Sequence, residues 1–282
     1  MRAMVYRGPY KVRVEDKPMP TIEHPNDAIV RVTMAAICGS DLHLFHGMMP
    51  DTRVGMTFGH EFIGVVERVG PSVQNLKAGD RVMVPFNVYC GSCYFCARGL
   101  YSNCHNVNPN ATAVGGIYGY SHTCGGYDGG QAEFVRVPFA DVGPSIIPDW
   151  MDDEDALLCT DALATGYFAA KLKLQGGSPI ALNWAIDSVR KGGTVSVMGA
   201  YGPMFSAVKF GDAMNKGLTL RMNQCPVKRQ WPRLFSHIQN GYLKPNDIVT
   251  HRIPLDHIAD GYHIFSAKLD GCIKPIILPR AS

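Results

Sequence analysis

Four cysteines within fifteen residues constrain the fold of this 282-residue chain more than any other feature of its sequence. They are Cys90, Cys93, Cys96 and Cys104, in the spacing C-x2-C-x2-C-x7-C. Four thiolates on a short loop can enclose one Zn²⁺ tetrahedrally and leave no coordination position open. Chance clustering of cysteines or an iron–sulfur site is the alternative. The spacing favours a structural zinc ion that stabilises a loop.

The cysteine count and the modest net charge argue against several classes of protein. The N-terminal segment lacks the apolar run of a signal peptide, and no stretch of the sequence is apolar enough to span a bilayer. Nine cysteines in such a chain indicate thiols kept reduced for metal rather than disulfides. A net charge of +3 is too small to indicate binding to nucleic acid or to a membrane surface. We therefore expect a cytoplasmic protein.

The pattern of apolar residues changes near residue 149 and predicts a mixed β and α/β fold. Before it, short Val/Ile-rich runs bounded by turn residues predict a β-barrel with long functional loops. These predicted strands cover residues 28–34, 62–69, 81–84 and 133–137. After it, helices are predicted to alternate with strands, which is typical of α/β structure. The predicted helices are 156–174, 181–190, 231–241 and 257–269, and the predicted strands are 194–198, 218–222 and 274–278.

A second group of candidate metal ligands is spread along the chain. Cys38 follows a predicted strand, His60 and Glu61 precede another, and Asp161 comes a hundred residues later. A cysteine, a histidine and a carboxylate leave one zinc position open for water or substrate, as in catalytic sites. Each piece alone is a weak signal, because single cysteines and histidines usually have structural roles. Their presence beside the four-cysteine loop indicates a catalytic zinc site.

The order of these residues resembles that of the zinc-dependent medium-chain alcohol dehydrogenase family. Residues 84–90 (VPFNVYC), 119–120 (GY) and 129–133 (GGQAE) resemble its glutathione-independent formaldehyde dehydrogenase branch in particular. The resemblance implies a GroES-like catalytic domain with Cys38, His60 and Asp161 as ligands of the catalytic zinc. It also implies that Glu61 is a carboxylate able to approach the metal.

Ser40 and His43 match the hydroxyl and imidazole groups of that family's proton relay. Their chemistry suits the role independently, because a serine hydroxyl donates and accepts at once and an imidazole accepts a proton near pH 7. A helix N-cap for Ser40 and a surface position for His43 are the alternatives. We predict that both residues belong to the relay.

The nucleotide-binding part of the family is largely missing from the sequence. No G-x-G-x-x-G fingerprint of a Rossmann domain is present, and residues 199–202 (GAYG) have no third glycine. Residues 171–179 are too few for a βαβ unit, which needs about 30 residues. We predict a zinc catalytic domain (1–170), a connector replacing the nucleotide-binding half (171–179), a Rossmann remnant (180–240) and a return to the catalytic domain (241–282).

The predicted function is that of a zinc-dependent alcohol or aldehyde dehydrogenase domain with two zinc ions and lost or weak NAD binding. Its substrate is a small alcohol or aldehyde. Two alternatives stay open: a hydrolase-like activity of the catalytic zinc, and a catalytically silent truncated scaffold. A homodimer is also predicted, because an edge strand of the remnant sheet can pair with a second copy.

Overall fold

The computed structural model describes residues 1–110, 114–172, 179–197 and 208–279. The chain divides into two compact units. The first unit comprises Met1–Ala162 together with Pro226–Ser282, and the second comprises Leu163–Cys225.

The regular elements are numbered in chain order. The strands are β1 Arg2–Tyr6, β2 Val12–Asp16, β3 Ala28–Ala36, β4 Phe62–Val69, β5 Arg81–Val84, β6 Asn87–Val88, β7 Gly116–Ile117, β8 Phe134–Val137, β9 Ser145–Ile146, β10 Thr194–Val197, β11 Thr219–Met222, β12 Val249–Pro254 and β13 Lys274–Leu278. The α-helices are α1 Gly39–Phe45, α2 Asp153–Cys159, α3 Ala162–Leu172, α4 Pro179–Ser188, α5 Phe210–Asn215, α6 Val227–Gln239 and α7 Ile258–Ala267.

A seven-stranded sheet forms the centre of the first unit. Its strands run in the order β12-β13-β3-β4-β5-β9, and β8 also pairs with β3. Valines of β3, β4 and β5 face the core because side chains alternate along a strand; Val30, Val66 and Val82 are almost fully buried. The strands predicted from residues 28, 62, 81 and 274 onward are confirmed, and the strand predicted from 133 begins at Phe134.

Several elements of the first unit were not predicted. The β1–β2 pair, the strand β12 and the helix α1 are all too short or too mixed in polarity to give a clear periodic pattern. The helix α1 has only seven residues, about two turns, and it carries the predicted relay residues. The described parts of the chain contain no helix long and apolar enough to cross a membrane.

The continuous helix predicted over residues 156–174 is wrong, because the structure breaks it at Thr160 and Asp161. The first part, α2, begins after Asp152, whose side chain accepts a hydrogen bond from the Asp155 N–H at 3.1 Å. It ends where the Thr160 hydroxyl donates to the Leu157 carbonyl at 2.6 Å. Such local bonds compete with the hydrogen bonds of a helix. The break places Asp161 between two helices.

The second unit has the alternation of helix and strand that the sequence predicts. Strands β10 and β11 pair in parallel, with Val195 opposite Leu220. Residues of α4 and α5 pack with them in a small apolar core that includes Ile186 and Ala213. The helix predicted at 181–190 starts earlier, at Pro179, because proline is well suited to the first helical position. Residues 173–178 of the predicted connector, and residues 199–202, lie outside the described residues.

The helix α6 lies at the end of the predicted segment 180–240. The helix α6 belongs to the first unit, which the chain re-enters at Pro226. Its Trp231 is 2% exposed and donates from Nε1 to the Cys159 carbonyl at 2.9 Å. A buried indole that finds such a partner anchors α6 against α2.

Candidate metal centres

The four cysteines of the loop converge on one point. The Sγ atoms of Cys90, Cys93, Cys96 and Cys104 all lie within 4.8 Å of one another, and none forms a disulfide. Cys93 Sγ is 3.5 Å from Cys96 Sγ and 3.8 Å from Cys104 Sγ. A tetrahedral zinc ion with Zn–S distances of ~2.3 Å has sulfur–sulfur edges of about 3.8 Å. The four thiols therefore fit a structural zinc ion.

Backbone and amide donors point at these sulfurs. The Cys90 N–H donates to Cys104 Sγ at 3.3 Å, and the Asn106 amide donates to Cys90 Sγ at 3.4 Å. Burial raises the pKa of Cys93, but the N–H groups of Cys96 and His105 outweigh it and lower that pKa to about 6. Hydrogen bonds to the charged form favour thiolate over thiol. The donors thus favour negative charge on Cys93, whereas burial raises the pKa of Cys96 and Cys104.

The sheet brings the first residues of the second cluster together. Cys38 follows β3, and His60 and Glu61 directly precede β4. Because β3 and β4 are antiparallel, with Ala35 opposite Phe62, the end of one strand lies beside the start of the other. Cys38 is also the N-cap residue of α1, and its N–H donates to the Asp41 carboxylate at 2.9 Å.

Asp161 completes this cluster from the break between α2 and α3. One ligand atom from each of Cys38, His60, Glu61 and Asp161 lies within 4.8 Å of the others. Asp161 Oδ2 is 3.8 Å from Cys38 Sγ and 3.2 Å from His60 Nε2. A tetrahedral zinc ion with sulfur, nitrogen and oxygen ligands has edges of about 3.3–3.6 Å between them. The donor set fits a zinc ion with three protein ligands.

Carboxylates surround the imidazole of His60, which is 3% exposed. Its Nδ1 lies 3.3 Å from Asp41 Oδ1, although the two atoms are not aligned for a hydrogen bond. Burial lowers the pKa of His60, but Asp41, Asp161 and Cys38 outweigh it and raise that pKa well above its usual value. The surroundings of His60 therefore favour a positive charge at this ring, whether a proton or a metal cation.

Glu61 forms a buried ion pair that the sequence did not predict. Its Oε2 contacts the Nζ of Lys274, the first residue of β13, and the exposed fractions of the two side chains are 1% and 7%. Burial lowers the pKa of Lys274, but the attraction of Glu61 outweighs it and raises that pKa. Glu61 Oε1 is buried and has no hydrogen-bond partner in the described structure. The only sequence signal was a lysine beginning an otherwise apolar strand, since a buried charge needs a partner.

Ser40 lies against the cluster, whereas His43 lies farther along α1. The Ser40 hydroxyl donates to Cys38 Sγ at 3.2 Å and is 3.4 Å from His60 Nε2. Residues three apart on a helix are neighbours, so His43 follows Ser40 on one face of α1. His43 Nδ1 is 3.3 Å from the hydroxyl of Tyr120, one of the residues that carry the resemblance to the formaldehyde dehydrogenase branch. Burial lowers the pKa of His43. Ser40 is not the N-cap of α1, because Cys38 has that position.

Comparisons with known proteins agree with this fold. Residues 24–149 match the family model of the alcohol dehydrogenase GroES-like domain. The chain is 33% identical to a zinc-type alcohol dehydrogenase-like protein of Bacillus subtilis, over 99% of the chain and 100% of that relative. It is 37% identical to the glutathione-independent formaldehyde dehydrogenase of Pseudomonas aeruginosa, over 72% of the chain and 54% of that relative.

A solved structure shows the same fold. The alcohol dehydrogenase TADH from Thermus sp. ATN1 superposes with a TM-score of 0.85 at 29% identity, over 99% of the chain and 100% of that structure. A GroES-like zinc-type dehydrogenase is the class that these matches define. The chain belongs to the zinc-dependent medium-chain alcohol dehydrogenase family. The predicted family and the mixed β and α/β fold class are confirmed.

The alignment with the Bacillus relative is longer than the chain. It extends over 379 residues, whereas the chain has 282. Because it covers 99% of the chain and 100% of the relative, the unmatched residues of the relative lie inside the aligned region.

Proposed function

We propose that this chain is a zinc-dependent dehydrogenase domain that oxidises or reduces a small alcohol or aldehyde by hydride transfer. Cys38, His60 and Asp161 hold the catalytic zinc ion, and the four cysteines of the loop hold a structural one. The observation that carries the proposal is the convergence of these three donors, from distant parts of the chain, on one buried point. Three donors leave one zinc position open for a substrate oxygen.

The chain's own residues suit the proton chemistry of this reaction. Zinc bound here supplies Lewis-acid activation of the substrate oxygen. Ser40, against the cluster, accepts the substrate's proton while it donates its own. His43, one turn farther along α1, is the acceptor of the proton, and the lowered pKa of its half-buried ring keeps it neutral near pH 7. The buried ring of Phe86, 6.1 Å from the His60 ring, excludes water from one side of the site.

Glu61 has a separate role in the proposal. Its Oε2 contacts Lys274, Oε1 has no hydrogen-bond partner in the described structure, and one of the two oxygens belongs to the metal cluster. Glu61 would therefore offer a carboxylate oxygen beside the three ligands of a bound zinc ion. The Lys274 charge balances the carboxylate, so the buried cluster does not accumulate negative charge.

We further propose that the nucleotide-binding half of the family's Rossmann domain is deleted and that NAD binds weakly. The sequence lacks the glycine-rich turn on which dinucleotide pyrophosphates bind. The longer Bacillus alignment, with its unmatched internal residues, supports a deletion. The hydride carrier that we expect to work is a small nicotinamide analogue, which needs no dinucleotide pocket.

Metal analysis and an NADH titration test the proposal together. We expect two zinc ions per chain, one of which is lost in Asp161→Ala, because that variant removes one of three donors. Asp128→Ala is the control, since Asp128 is an exposed partner of Lys17 outside the cluster. NADH fluorescence should show no tight binding.

Three outcomes would contradict parts of the proposal. One zinc ion or none in the unchanged protein would remove the catalytic centre, and a tight NADH dissociation constant would disprove the deletion of the nucleotide site. Ester hydrolysis that is lost in Asp161→Ala, without hydride transfer to a nicotinamide analogue, would replace the dehydrogenase assignment by a zinc hydrolase.

A further inference from the structure

We propose that Tyr120 is a positioning residue of the proton relay: its hydroxyl oxygen accepts a hydrogen bond from His43 Nδ1–H and leaves Nε2 free to take the proton. The inference rests on the relay role of His43 in the proposed function. The contact that carries it is the 3.3 Å distance between the Tyr120 hydroxyl and His43 Nδ1.

The backbone holds Tyr120 in this place. Gly119 has a φ of +55°, and a Cβ atom there would lie 2.5 Å from the Gly59 backbone nitrogen. The loop therefore contacts the segment directly before His60 only because residue 119 is a glycine. The Gly119 N–H also donates to the Tyr127 carbonyl at 2.8 Å, which closes the loop on itself. Gly119 thus places Tyr120 directly beside the segment that leads into His60.

The hydroxyl of Tyr120 stays protonated in the working pH range. Burial raises the pKa of Tyr120 to about 12, and the nearby Cys124 adds to this while His60 opposes it. A neutral phenol can accept through its oxygen and donate its own hydrogen elsewhere. Near neutral pH it therefore serves as a constant partner for His43.

The tautomer follows from what a relay base must do. A neutral imidazole carries one N–H and one lone pair, and only the nitrogen with the lone pair takes a proton. With Nδ1–H directed to Tyr120, the lone pair is on Nε2. The second nitrogen of a base is commonly fixed in this way by a hydrogen-bond partner. The proton gained at Nε2 then leaves the Nδ1–H···O bond in place.

Tyr120 also influences the pH at which His43 becomes charged. The bond from Nδ1–H strengthens when the ring is positive, because charge-assisted hydrogen bonds are stronger than neutral ones. Other groups act on the same ring: Asp41 favours the charged form, whereas burial and His46 disfavour it. Asp41 lies in α1 and His46 caps its C-terminal end, whereas Tyr120 contacts His43 from a separate loop.

Nitrogen-15 NMR of histidine-labelled, zinc-loaded protein tests this inference without any activity assay. His43 is assigned with His43→Gln. We expect the Nδ1–H tautomer in the unchanged protein. In Tyr120→Phe we expect a mixture of tautomers and a titration midpoint lower by about half a pH unit to one pH unit, the size that one hydrogen bond predicts.

Tyr127→Phe is the matched control, because Tyr127 lies on the same loop and donates to the Val107 carbonyl at 2.9 Å instead of contacting His43. It should leave the His43 midpoint unchanged. An Nε2–H tautomer in the unchanged protein, or the same midpoint in Tyr120→Phe, would overturn the inference. Zinc content measured on the same samples tests the proposed function separately, because a loss of zinc leaves the tautomer readable.

Discussion

Cys96→Ser is expected to release one zinc ion per chain and to lower the thermal stability of the protein by far more than an ordinary point substitution. Cys96 is buried, and its Sγ lies among the other three sulfurs of the loop. A structural zinc site contributes its binding free energy to folding, on the order of 10 kcal/mol or more in small zinc domains. Three remaining sulfurs hold the ion much less tightly. The loop from Cys90 to Cys104 should then lose its order.

Zinc content and thermal unfolding, recorded on the same preparations, measure this effect. Cys272→Ser is the control, because Cys272 is a half-buried free cysteine outside both clusters. It should keep full zinc content and an unfolding temperature close to that of the unchanged protein. A Cys96→Ser protein that retains all its zinc would disprove the structural metal site.

Lys274→Met is expected to lower the free energy of unfolding by about 3–5 kcal/mol, because it leaves the buried Glu61 carboxylate without its counter-charge. The double variant Lys274→Met, Glu61→Gln should recover a large part of that loss, since it removes both charges. Denaturant unfolding of the zinc-loaded unchanged protein, of Lys274→Met, of Glu61→Gln and of the double variant gives the three differences in the free energy of unfolding. The cycle separates the attraction within the pair from the cost of burying each partner.

An exposed ion pair provides the comparison. Arg2 and Asp256 are in contact, but their side chains are 50% and 53% exposed. Arg2→Met should therefore change the free energy of unfolding by less than about 1 kcal/mol. If Lys274→Met lowered the free energy of unfolding no more than Arg2→Met does, the Lys274–Glu61 pair would not be buried away from water as it is in the structure. A double variant as stable as the unchanged protein would indicate that the Lys274–Glu61 pair contributes to the metal site and not to the stability of the fold.

Residues close together in the chain were the most predictable part of this protein. The four cysteines span one loop, so their spacing is enough to predict a metal site before any fold is known. The long strands were predicted for a similar reason, because alternation of apolar residues is a local signal. The same reasoning failed at Thr160, where a side-chain bond to Leu157 ends a helix that the apolar pattern continues.

The cluster of Cys38, His60, Glu61 and Asp161 was only partly predictable from the sequence. Cys38, His60 and Asp161 are weak signals individually, and only the order shared with a known family connected them. The structure supplies the physical reason for their meeting. The antiparallel register of β3 and β4 joins the first two, and the helix break contributes the third.

Spacing along the chain thus accounts for the four-cysteine site and for the main strands. The pairing of Lys274 with Glu61 and that of Tyr120 with His43 come from the folded molecule alone. Lys274 meets Glu61 across 213 residues, and Tyr120 meets His43 across 77 residues. A local sequence pattern cannot predict such pairs, because they become favourable only when the folded sheet and loops bury both partners away from water. Burial then makes an unpaired charge or a misplaced hydroxyl costly.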